Sequence, residues 1–172
     1  MKKTKVITQS AVLIALALAL SYTERFIPLQ LVIPLPGVKL GLANIVTLVA
    51  LYLLGWKRTL PIVVIRCFLG ALFGSLTGLA FSLTGGLISL AVMALCKKIP
   101  VFSIYGVSIL GAAAHNIGQI LAAMALMASV YVGAYLPYLL LIAICTGLAT
   151  GAACSGVLRT LKAVPISKEM NR

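Results

Sequence analysis

The chain has 172 residues, 62% of them hydrophobic and only 9% charged, with a formal net charge of +12 and a mean hydropathy of +1.17. A water-soluble domain of this length needs far more polar surface, so a soluble enzyme or soluble binding module is excluded. The positive charge does not mark a nucleic-acid binder either, because the cations sit in the breaks between apolar runs and form no basic stripe interleaved with aromatics.

The apolar runs predict an all-α, polytopic membrane protein: one domain over residues 1–172, with six transmembrane helices at about 6–22, 40–55, 59–75, 78–96, 104–128 and 135–158. The first follows Lys2, Lys3 and Lys5. That basic start and Ala-x-Ala spacing would also fit a cleaved leader; we read the segment as a retained first span. Ala11, Ala15 and Ala19 recur every four residues and so share one face, which lets another helix approach closely, whether inside the bundle or from a partner.

The following loop, "TERFIPLQLVIPLPG", carries Pro28, Pro34 and Pro36 and is a candidate lid. Pro34 and Pro36 end any preceding helix and Gly37 permits a sharp turn, so the second helix is expected to begin near Val38. Its first N–H groups and positive dipole end, with Lys39 beside them, suit a carboxylate or phosphate. Asn44, expected one and a half turns deeper, can both donate and accept. The plainer reading is a capped helix start with Lys39 reaching lipid headgroups.

Trp56, Lys57 and Arg58 mark the next break, and Lys97 and Lys98 a later one. With Arg159, Lys162, Lys168 and Arg172 they predict both termini and these breaks on the cytoplasmic side, with Trp56 as an interfacial anchor. Arg25, Lys39 and Arg66 remain. An arginine inside a span costs on the order of 3 kcal/mol or more, so Arg66 either snorkels, since it lies only about 12 Å along the helix from Arg58, or lines a polar site. Gly70, Gly74 and Gly78 at the end of the third span and Ala143, Gly147, Gly151 and Ser155 in the sixth are read as internal packing faces.

The fifth span contains "GAAAHNIGQ". His115 and Gln119 are four apart and share a face near the bilayer midplane, with Asn116 beside them. At that depth polar groups must find partners in the bundle or line a wet cavity. Tyr22, Phe26, Tyr131 and Tyr135 read as an interfacial belt in preference to a stacking site. Cys67, Cys96, Cys145 and Cys154 lack metal or disulfide spacing and are read as small buried hydrophobes; no metal and no cofactor is expected.

"PGVKLGLAN" at residues 36–44, the "AAAHN" of the fifth span and the six-span pattern resemble the Gx transporter family, formerly labelled heptaprenyl diphosphate synthase component I, over roughly residues 6 to 162. That family is similar to the substrate-binding S components of energy-coupling factor (ECF) transporters. The resemblance implies a multi-pass subunit of the cell membrane, in bacteria the plasma membrane. It implies partnership with a transmembrane coupling protein and two ATPase subunits, and capture of a small anionic, vitamin-like or cofactor-precursor molecule at the outer face. It also implies that Ala11, Ala15 and Ala19 dock the coupling protein. Lys39, Asn44, Arg66, His115, Asn116 and Gln119 are the candidate substrate-binding residues.

The older enzymatic label conflicts with the composition. Prenyl elongation needs Asp-rich clusters that hold Mg²⁺ against a diphosphate. The sequence has no Asp, and its two acids, Glu24 and Glu169, fall on opposite membrane sides in the expected topology. No phosphate-binding Gly-x-x-x-x-Gly-Lys-Ser/Thr loop occurs, so any ATP hydrolysis belongs to a partner, and His115 has no carboxylate in the bundle to complete a triad. The alternative to the importer subunit is a non-catalytic membrane subunit supporting isoprenoid or quinone synthesis. Its sensitive residues would lie near 56–58 and 97–98.

Overall fold

The computed structural model describes residues 2–26 and 41–163. These form six α-helices: α1 (Lys2–Thr23), α2 (Asn44–Leu54), α3 (Trp56–Leu72), α4 (Leu76–Cys96), α5 (Ile104–Met127) and α6 (Leu136–Ala163). Short 3₁₀ turns at Glu24–Phe26 and Val130–Tyr135 follow α1 and precede α6. No strand occurs among the described residues. Four stretches are long and apolar enough to cross a membrane: Thr4–Thr23, Leu76–Cys96, Ile104–Met127 and Val130–Leu161. The shorter helices are α2 and α3, at 11 and 17 residues.

Helix boundaries correct the sequence reading in two places. The second helix starts at Asn44 and not near Val38, because Gly41 takes φ +83° and a left-handed residue interrupts a helical run. Asn44 N–H then closes a turn onto the Gly41 carbonyl at 2.8 Å. The third helix ends at Leu72, so Gly74 and Gly78 do not continue the Gly70 face. Ser75 instead caps α4, its hydroxyl accepting from the Gly78 N–H at 3.0 Å. At the other end of α3, Gly55 at φ +78° joins α2 to α3 with no further linker.

The central helix is α5, packed against α4 on one side and α6 on the other, with α2 also touching it. Small residues set these distances. A Cβ added to Gly118 would lie 2.8 Å from Gly85 Cα, and one on Gly147 would lie 2.5 Å from Ile109 Cα. Ala143, Gly147, Gly151 and Ser155 are all buried on α6, as expected of an internal face. The peripheral helix α1 rests on α2 and α3. Ala17 is buried there, whereas Ala11, Ala15 and Ala19 face outward with Val12 and Leu16. Of the four cysteines, Cys67 and Cys154 are buried, Cys96 is partly buried and Cys145 is exposed, which departs from the expectation for that residue.

Two apolar clusters fill the interior. One gathers Leu48, Leu51, Val63, Leu90, Met93, Val107 and Cys154 toward the end that carries Lys57, Arg58, Lys97 and Lys98, the basic end. Lys97 closes it: its ammonium donates to the Leu51 carbonyl at 2.9 Å and lies 4.6 Å over the Tyr52 ring. Burial at that position lowers the Lys97 pKa from the ordinary lysine value. The second cluster, Phe81, Ile120, Ala122, Ala123, Val132 and Leu139, fills the opposite half.

Candidate functional site

Between the two apolar clusters lies a layer of polar side chains. Asn44 is ten residues from the end of α2 at Leu54, and Arg66 ten from the start of α3 at Trp56. Gly86 is ten from the end of α4 at Cys96, and His115 eleven from the start of α5 at Ile104. At 1.5 Å per residue, all four sit about 15 Å above the basic end, near half the depth of a bilayer's apolar core. Four helices that begin and end in different parts of the chain thus deliver polar groups or glycines to one level.

His115 and Gln119 are joined as their spacing predicts, His115 Nε2 to Gln119 Nε2 at 2.8 Å. Side chains on a helix point back toward its N-terminus, so Gln119 reaches down to the His115 level from one turn above. His115 is flanked by two glycines. A Cβ on Gly41 would lie 3.1 Å from His115 Cδ2 and 2.9 Å from Asn44 Nδ2, and one on Gly85 would lie 2.8 Å from His115 Nδ1. The imidazole therefore nests against the backbones of α4 and the turn before α2, beside the Asn44 amide. Asn44 is 4% exposed, and neither its amide nitrogen nor its oxygen has a hydrogen-bond partner.

Arg66 stands on the other side of the α4 diglycine, its Nη2 3.2 Å from where a Gly86 Cβ would be. It is 6% exposed, and its Nε and Nη2 make no hydrogen bond. It does not snorkel to the basic end; the guanidinium is kept in the layer. Buried polar groups without partners are uncommon because each costs roughly 1–3 kcal/mol, and more when charged. This layer contains several.

The remaining candidates divide. Asn116 faces away from His115, its amide nitrogen donating to the Leu139 carbonyl at 2.7 Å and tying α5 to α6. Lys39 and the candidate lid from residue 27 onward lie outside the described residues, as does the Arg25 side chain. Near the start of α2, the Leu42 N–H donates to the Glu24 carboxylate, which is buried. Sequence reasoning also missed Gly41, Gly85 and Gly86. The Gly85-Gly86 pair in mid-span was a visible signal, since adjacent glycines cost helix stability unless something must come close. Among the described residues no group of three His, Cys, Asp or Glu side chains gathers to hold a metal.

No curated protein and no solved structure matches the chain. A family does: residues 13–157 match the one described as heptaprenyl diphosphate synthase component I, and the chain belongs to that family.

Proposed function

We propose that this protein is the substrate-binding, S-component-like subunit of an ECF-type importer in the cell membrane. It spans the bilayer six times with both termini in the cytoplasm, captures a small anionic, vitamin-like or cofactor-precursor molecule from the outer side, and performs no catalysis itself. A transmembrane coupling protein and two ATPases drive release inward. The observation that carries this reading is the half-depth layer, where Asn44, Arg66, His115 and Gln119 are buried among apolar clusters. Intramembrane polar groups of this kind mark solute paths. A scaffold for an isoprenoid enzyme, the reading nearest the family's own description, has no use for them and would concentrate its sensitive residues at the basic end.

The outward face of α1 supports the partnership. Ala11, Ala15 and Ala19 are exposed among the described residues, and an Ala-x-x-x-Ala surface lets a second membrane helix come close. Co-expression of the tagged chain with a coupling protein and its two ATPases tests the proposal. A stable complex is expected with wild type and its loss with Ala15→Trp. Absence of a complex in both cases would sink the importer reading and leave the isoprenoid scaffold.

A further inference from the structure

Arg66 brings a buried guanidinium into the polar layer with no acceptor paired to it. Its Nε and Nη2 are sealed from solvent and make no hydrogen bond, and a guanidinium presents paired donors along the edges of its plane. An edge of that plane matches two oxygens of one oxyanion, the bidentate pairing of arginine with carboxylate. The guanidinium is 6% exposed at half depth, and the acid nearest in kind, Glu24, is engaged with Leu42. A buried cation left in this state is costly unless something pairs with it. The environment also selects among oxyanions. A carboxylate brings one negative charge into an apolar surround, whereas a phosphate monoester brings about two and a larger desolvation cost.

We infer that Arg66 is the ligand's charge anchor and that the transported molecule bears a carboxylate, received by the guanidinium at mid-membrane depth. This rests on the importer reading and narrows its anionic substrate to a carboxylate. Gly86 lies against the guanidinium, and a Cβ there would sit 3.2 Å from Nη2 and push it by a few tenths of an ångström.

The test uses the full chain in lipid nanodiscs, with acetate, acetamide and inorganic phosphate as probes at matched ionic strength and the melting midpoint as readout. Acetate should raise the wild-type midpoint, acetamide should not, and phosphate should do less than acetate. Arg66→Met should abolish the acetate response, and Arg66→Lys, which keeps the charge and loses the fork, should weaken acetate binding about tenfold. Without any probe, Arg66→Met should melt at or above the wild-type midpoint, because it removes an uncompensated buried charge. Gly86→Ala should also weaken the response. An acetate response that survives Arg66→Met, or equal effects of acetate and acetamide, overturns the assignment. An Arg66→Met midpoint well below wild type makes the arginine a structural element, and a stronger response to phosphate overturns the carboxylate class. Assembly of the wild-type chain with the coupling module is scored separately. Failed assembly beside a positive acetate response sinks the importer reading alone, and the reverse pattern sinks the Arg66 assignment alone.

Discussion

A methyl group added at Gly85 would meet His115 Nδ1 at 2.8 Å, His115 Cε1 at 2.9 Å and the His115 carbonyl at 3.0 Å. Two of these atoms belong to a ring wedged between helices and the third is backbone, so none can yield cheaply. Gly85→Ala is therefore expected to destabilise the protein by about 1–3 kcal/mol, the usual cost of overpacking, read as a lowered melting midpoint. Gly55→Ala meets no atom within 4 Å, but at φ +78° and ψ 166° its backbone is in a region nearly reserved for glycine, so its cost of about 1–3 kcal/mol comes from strain and not from crowding. At this scale the sequence was partly legible. The i, i+4 spacing of His115 and Gln119 foretold their pairing, because helix geometry alone brings them together. The fate of Arg66 was not legible: snorkelling and burial differ by rotamer and by what the neighbouring helices present, and neither is written locally. Asn44, expected one and a half turns inside its helix, stands at the helix start, since a single left-handed glycine moved that start.

At the scale of elements, the same small-residue spacing has opposite outcomes on α1 and α6. Ala143, Gly147, Gly151 and Ser155 are buried against α5, while Ala11, Ala15 and Ala19 look outward. Spacing reports that a helix could be approached closely; it does not say by which neighbour. The difference is measurable in the isolated subunit. Ala15→Trp should leave its melting midpoint nearly unchanged, as exposed substitutions usually stay within about 0.5 kcal/mol. Gly147→Leu should lower it sharply, because the new side chain must displace the α5 backbone at Ile109. Equal effects of the two would place the α1 face inside the bundle. The helix following the proline-rich segment was foreseen as an element, and its shortness was not. Nothing in the composition of "PGVKLGLAN" distinguishes the last turn of a loop from the first turn of a helix until Gly41 adopts positive φ.

The whole molecule was the most legible scale. Six helices and no strand among the described residues follow from hydropathy and breaks alone, because a bilayer demands internally satisfied backbones. What hydropathy could not give was relative depth. Orientation is open to direct measurement: a C-terminal green fluorescent protein fusion should fluoresce and a C-terminal alkaline phosphatase fusion should be inactive if both termini are cytoplasmic, and the opposite pair of results would invert the topology.

The tie between Lys97 and the Leu51 carbonyl has a bearing on how a solute could travel. Below the polar layer the interior is plugged by Leu48, Leu51, Met93 and Val107, and Lys97 bolts α4 to α2 beneath that plug. A molecule resting on Arg66 has a solid floor under it. To leave through the floor, it would have to pry the helices apart across a close-packed core and break the bolt. Leaving by the way it entered costs neither, so import by the proposed route would require the mouth itself to be carried to the other side. On the importer proposal, such a protein would act as a ladle and not as a pipe: its cargo would move when the vessel tips, and a partner gripping the outer flank of α1 would be placed to tip it.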